Sequence, residues 1–165
     1  MNTSDSVPSL LFVCLGNICR SPLAEAAMRM HAEKWGIDIT VDSAGTGRWH
    51  IGNQPDFGSI GVASRNGIDI TGQRARQVLS NDFHRFDYIV AMDRTNNLAD
   101  LKALQPQDGK AILSLLLDYH PEETRQDVPD PYGGDDAAFT EVWGLVMTAT
   151  EHLLDQICDR DLSKS

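Results

Sequence analysis

The sequence is short of cysteine, of positive charge and of long apolar runs, and each shortage excludes something. Three cysteines in 165 residues, two of them five positions apart and the third at 158, provide neither a disulfide framework nor a CxxC pair for zinc, a usage that suits a reducing cytosol. Five histidines, at 31, 50, 84, 120 and 152, never fall at the i, i+4 spacing of a helical metal site, so no metal and no other cofactor is expected. Lys and Arg number 14 against 24 Asp and Glu, a formal net charge of −10. That balance argues against a broad basic face for nucleic acid or an anionic membrane, but leaves room for a small positive pocket of backbone amides and one Arg. No apolar run approaches the roughly 20 residues of a membrane-spanning helix. The opening MNTSDSVPS lacks the basic and apolar parts of a secretory signal, so the chain is expected in the cytoplasm, with only a signal-less route of export left open.

What remains is ordinary globular usage, 41% hydrophobic and 23% charged, in a length that suits one compact domain. Residues 9–13, SLLFV, read as a strand buried on both faces. A helix follows from Ser21-Pro22, with Ser21 as N-cap, Leu23, Ala26, Ala27 and Met30 on one stripe, and Gly36 as the C-cap. Residues 37–43 alternate like a strand, 45–55 form a turn-rich loop, and 57–66 read as a short helix closed by Gly67. A second buried strand spans 86–92, and Asp93 caps a helix through Leu98 and Leu101. Another apolar strand covers 111–117, and a long helix covers 137–158 after a polar stretch. Strands alternating with helices predict an α/β fold, an open, mostly parallel sheet with helices on both sides.

The chemistry concentrates in Cys14-Leu15-Gly16-Asn17-Ile18-Cys19-Arg20-Ser21-Pro22, between the first strand and the first helix. A loop feeding a helix N-terminus offers unpaired amides and a positive dipole to an anion. Five residues between Cys14 and Arg20 suffice for Leu15, Gly16, Asn17, Ile18 and Cys19 to curl into a nest of N–H groups around one phosphate. Amides, helix terminus and guanidinium together favour the thiolate of Cys14, a nucleophile toward phosphorus. Arg20 can clamp two equatorial oxygens in parallel, Ser21 can donate its hydroxyl to the sulfur, and Gly16 lets backbone approach the anion. A lone cysteine would be a packing residue; seven constrained identities in nine positions argue otherwise.

These residues resemble the low-molecular-weight protein tyrosine phosphatases, in a bacterial-type member. The resemblance spans nearly the whole chain, through residues 14–22, VDSAGT at 41–46, IGNQPD at 51–56, ARQ at 75–77, FDYIVAMD at 86–93 and DPY at 130–132. It implies a four-stranded parallel sheet, doubly wound with the phosphate loop after the first strand, and hydrolysis of phosphotyrosine through a cysteinyl-phosphate. By position it makes Cys14 the nucleophile, Arg20 the clamp, Asn17 and Ser43 loop-shaping residues, Asp130 the general acid, and Trp49 and Tyr132 aromatic walls of the cleft. Asp130 also suits the acid on its own terms, since Asp-Pro in a polar loop holds an extended or turn conformation beside a pocket where a desolvated carboxylic acid could protonate a phenolate. Arg48, in the Trp49 loop, could meet acidic substrate side chains or simply be solvated. The implied substrate is a phosphotyrosine protein, a bacterial tyrosine kinase or a host protein, met by a monomer.

Gln73 stands where some members have a supporting His, and Gly133 where animal members carry a second Tyr. Residues 1–9 match nothing and are expected to fray. Arsenate reduction on the same fold needs a relay of further cysteines, and outside the loop there is only Cys158. A silent phosphotyrosine-binding module would need neither nucleophile nor acid. Cys19 has no step in phosphate chemistry, but a loop curled around phosphate brings 14 and 19 within the roughly 7 Å between Cα atoms that a disulfide tolerates. It is therefore a candidate redox partner that captures oxidised Cys14.

Overall fold

The computed structural model describes residues 7–164, with side chains through 160. Four strands, β1 (Ser9–Cys14), β2 (Thr40–Gly45), β3 (Tyr88–Ala91) and β4 (Ile112–Leu115), form one sheet in the order β2-β1-β3-β4, and every pairing is parallel. The helices are α1 (Arg20–Trp35), α2 (Phe57–Arg65), α3 (Asp82–Arg85), α4 (Ala99–Leu104) and α5 (Asp136–Lys164). Alternation along β1 divides the core. Leu10, Phe12 and Cys14 face α1, α2 and α5, whereas Leu11 and Val13 face α3 and α4. Residues 10–13 are wholly buried, each large side chain contributing about 1.5–3 kcal/mol of hydrophobic stabilisation. Chain order reverses beside β1, the place where open α/β sheets bind ligands at strand C-termini, and both Cys14 and the end of β3 arrive there: Val13 pairs with Ala91.

Several boundaries differ from the sequence reading for physical reasons. Ser9 does not fray; it opens β1, with its N–H held by Asp87 Oδ2 at 3.0 Å, and Pro8 O accepts the Thr40 N–H. The rest of that expected segment, 1–6, lies outside the described residues. Ser21 is not an N-cap. The first helical residue is Arg20, two positions before Pro22, and the Ser21 hydroxyl is engaged by the loop instead. Gly36 closes α1 in the left-handed conformation that glycine adopts freely, φ +68°. The Ile37 N–H bonds Ala32 O and completes that helix end, so β2 starts only at Thr40. Asp93 caps a single π turn over Arg94–Leu98 that runs on into α4. The apolar run at 111–117 divides into β4 and a 3₁₀ turn over Leu116–Tyr119. The short α3 lay unmarked in a polar stretch, and α5 runs beyond 158 to Lys164.

Candidate active site

From the end of β1 the chain turns through residues 15–19 into α1, and the loop's carbonyls point away from its centre. Cys14 O accepts from Thr46, Leu15 O from Gly47, Ile18 O from Asp56 and Cys19 O from Ser59. Among the described residues, the N–H groups of residues 15–19 have no protein acceptor, the condition for an anion nest at a helix N-terminus. Asn17 makes the turn possible. Its φ of +58° is the only positive φ at a non-glycine residue among those described, a conformation Asn tolerates. Three hydrogen bonds hold it there, since its Oδ1 accepts the Arg76 N–H at 2.9 Å, while Nδ2 donates to Ser21 Oγ at 2.9 Å and to Ser43 Oγ at 3.0 Å.

Those bonds orient the hydroxyls. With its oxygen accepting from Asn17, Ser21 is free to donate toward Cys14 Sγ, 3.0 Å away, and Ser43 likewise donates to Glu25 Oε1 at 2.7 Å. Glu25 also takes Arg29 at 2.9 Å. Burial nevertheless pushes the Glu25 carboxyl above its ordinary range against the Ser43 and Arg29 hydrogen bonds. Asp42 fixes the Ser43 N–H and Arg76, and Arg76 forks onto the fully buried Asp82. Gly45 is required at the seam, because a Cβ there would come within 2.8 Å of Leu15 O.

Arg20 has a side chain only 5% exposed. Its Nη1 donates to Asp93 Oδ2 at 2.9 Å and to Val128 O at 3.0 Å, leaving the Nε and Nη2 edge without an acceptor within hydrogen-bond distance among the described residues. Burial opposes its charge, but Cys14, Asp130 and Asp93 outweigh burial and hold the guanidinium above its usual range. Asp93 serves two tasks with two oxygens: Oδ1 caps the π turn through Asn96 and Asn97, and Oδ2 takes Arg20 and Asn97 Nδ2. Val128 is pinned by its N–H to Met92 O, and Asp127 by Arg94 and Thr95, so the segment leading to Asp130 is anchored at both points.

A cavity of about 190 Å³ is lined by Cys14, Leu15, Gly16, Ile18, Cys19, Arg20, Trp49, His50, Asp130 and Tyr132. Asp130 Oδ2 stands 3.9 Å from Arg20 Nη2, and its Oδ1 accepts the Tyr132 N–H at 3.1 Å. Its side chain is 49% exposed. The carboxyl expected to be desolvated is therefore open to water. Trp49 lies against Gly47, where a Cβ would collide with its ring, and is 70% exposed; Tyr132 is likewise exposed. Cys19 lines the same cavity as Cys14, and its thiol is pushed far up, first by burial and then by the charges of Asp56, Cys14 and Asp130. Arg48 is exposed, and Gln73 turns its amide to Pro22 O at 3.2 Å, its Oε1 remaining buried without a partner among the described residues.

Sequence reasoning missed Asp93 as the Arg20 anchor, Glu25, the Arg76–Asp82 bracket, Gly45 and His50. An Asp at the end of the strand beside β1 was the one signal available for the first of these. A family model described as low molecular weight phosphotyrosine protein phosphatase matches residues 9–164. The chain is 46% identical over 151 residues to the low molecular weight protein-tyrosine-phosphatase YfkJ of Bacillus subtilis, covering 90% of this chain and 95% of that one. It is 44% identical over 139 residues to the human low molecular weight phosphotyrosine protein phosphatase, covering 82% and 86%. The crystal structure of YfkJ matches with a TM-score of 0.86 over 94% of this chain and 97% of that one.

Proposed function

The chain belongs to the low molecular weight phosphotyrosine protein phosphatase family and hydrolyses phosphotyrosine through a cysteinyl-phosphate, and we propose that Cys14, Arg20 and Asp130 carry both steps. In the first, the Cys14 thiolate attacks phosphorus, the bond from phosphorus to the phenolic oxygen breaks, and Asp130 gives that oxygen its proton. Arg20 holds two equatorial oxygens with its Nε and Nη2 edge, and the amides of Leu15, Gly16, Asn17, Ile18 and Cys19 take the remaining charge. In the second, the Asp130 carboxylate removes a proton from water, the water oxygen attacks phosphorus, and the S–P bond breaks. Ser21 donates to the departing sulfur, which stabilises it as a leaving group. Asn17 and Ser43 keep the loop in its anion-holding shape, and Trp49 and Tyr132 flank the phenyl ring.

One observation carries this reading: Ser21 Oγ lies 3.0 Å from Cys14 Sγ, in a loop whose amides and whose arginine edge have no protein acceptor among the described residues. An aspartate at the mouth, 3.9 Å from that arginine, completes the acid–base requirement. The substrate is a phosphotyrosine-containing protein, and we read the enzyme as a cytoplasmic monomer that needs no cofactor. The test is phosphate trapping. Wild-type protein quenched in alkaline denaturant during turnover of a 32P-labelled phosphotyrosine peptide should carry label at Cys14, and Cys14→Ser should carry none and hydrolyse nothing. Full turnover by Cys14→Ser, or a strict divalent-ion requirement, would refute the mechanism. Asp130→Ala, used as a trap in lysate of the native host, should retain the physiological phosphoprotein.

A further inference from the structure

His50 lines the cavity and has no task in the two-step chemistry. Its imidazole packs on the outer face of the phosphate loop, so that a Cβ on Gly16 would come within 3.1 Å of His50 Cδ2 and 3.8 Å of Nε2. On its other side is Tyr132, with ring centroids 6.3 Å apart and planes tilted by 44°. Nδ1 makes a long contact of 3.5 Å with Asn53 Nδ2, and Nε2 has no protein partner among the described residues. The titratable groups on the same walls are Cys14, Cys19, Arg20, Asp130 and Tyr132. No carboxylate among the described residues is within ion-pair distance of the imidazole; Asp130 leans toward Arg20 instead.

We propose that His50 is a specificity-determining residue that engages an Asp or Glu side chain adjacent to the substrate phosphotyrosine. The proposal rests on the phosphotyrosine reading above. With the phosphate seated in the loop and the phenyl ring between Trp49 and Tyr132, the substrate group left to meet His50 is a neighbouring residue of the peptide. An imidazole has an N–H to donate when neutral and two when charged, and a carboxylate is the acceptor that gains from both hydrogen bond and charge. Gly16 makes room for the ring, a second role for that residue beside its part in the anion loop.

The experiment compares kcat/KM for matched phosphotyrosine peptides carrying Glu or its neutral isostere Gln on both sides of the phosphotyrosine, at low salt. A half-exposed charge-assisted contact should give wild type about a three- to tenfold preference for Glu. The Glu/Gln ratio should fall to about one in His50→Ala, persist in His50→Lys, drop below one in His50→Glu, and shrink in wild type as salt is added. Equal ratios in wild type and His50→Ala overturn the proposal. So does a ratio lost in Arg48→Ala while His50 is intact, because the exposed Arg48 would then be the reader. Each ratio is taken within one variant, so a loss of fold that scales both peptides alike leaves the comparison valid. Failure of wild type to hydrolyse p-nitrophenyl phosphate or either peptide would strike the phosphatase reading itself, not His50.

Discussion

Two aspartates flank Arg20, and their surroundings are opposite. Asp93 is 6% exposed, spends both oxygens on four hydrogen bonds and sits at the end of a sheet strand. Asp130 is half-exposed, 3.9 Å from the guanidinium, on a loop. The contrast extends to the two halves of the site. The floor, made of residues 14–21 with Ser43, Glu25, Arg76 and Asp93, is mostly buried and cross-bonded before any substrate arrives. The mouth, made of Trp49, His50, Asp130 and Tyr132, is exposed and lightly held. Charge that develops on phosphoryl oxygens is stabilised best by groups that need not move, whereas a mouth must admit and release a protein.

The sharpest way to break this division is the same substitution on both sides. Asp130→Ala should slow a substrate with a poor leaving group about 100- to 10,000-fold and spare one whose leaving group departs unprotonated, with stability within about 0.5 kcal/mol of wild type. Asp93→Ala strands a buried guanidinium and should cost about 3–5 kcal/mol of stability, read from urea unfolding. Similar stability losses in the two variants would erase the distinction. Arg20→Lys probes the floor alone: it keeps charge but loses the fork, and should lower kcat about 100- to 1,000-fold. A variant as active as wild type would remove geometry from the argument.

Cys19 belongs to the floor by burial but faces the cavity. With Cys19 as the proposed redox partner, peroxide would convert the Cys14 thiolate to a sulfenic acid, and attack by the Cys19 sulfur would expel water and leave a disulfide that a thiol reductant returns to two thiols. Loss of the Cys14 charge removes one of the causes that hold the Cys19 thiol protonated. After peroxide and then dithiothreitol, wild type should recover most activity and Cys19→Ser little; equal recovery would make Cys19 a packing residue. The smallest expected effect is a slope. Because burial raises the Glu25 carboxyl above its usual 4.5, the folded state holds that proton to higher pH than the unfolded chain. The resulting stability is complete below about pH 4.5 and is lost as pH rises through the folded value. Unfolding free energies of wild type minus Glu25→Gln should therefore decline as pH rises above about 4.5. A flat difference would show that Ser43 and Arg29 fully compensate burial.

What could be read in the sequence was what lies close together along the chain: β1, the anion loop, α1 with its Gly36 stop, and Asp130 once the loop had been recognised. Boundaries went astray where a side chain or backbone group had a distant use. Ser21 carries two readings in the sequence, a helix cap and a donor to the Cys14 sulfur, and the structure keeps only the second, at 3.0 Å. Asp93 was seen capping a helix, which it does with one oxygen; its other oxygen reaches Arg20, 73 positions away, through the pairing of β1 with β3. Nothing along the chain marks Glu25, because its role comes from α1 being buried on most of its circumference between the sheet and α5. The reach of Arg76 to Asp42, 34 positions away, and the placing of His50 on Gly16 likewise depend on segments meeting across the sheet ends.

The Nη1 of Arg20 is already committed to Asp93 and Val128, so the guanidinium cannot rotate to offer another edge, and the cage it closes is complete without a tyrosine. If the cage holds phosphate as proposed, free tetrahedral oxyanions should compete for it, the reaction's own inorganic phosphate among them. Occupancy by phosphate would add RT ln(1 + [L]/Kd) to folding stability and withhold the occupied fraction of sites, [L]/([L] + Kd), from catalysis. The phosphate level around the protein would thus set a trade between how long the enzyme lasts and how much of it is working.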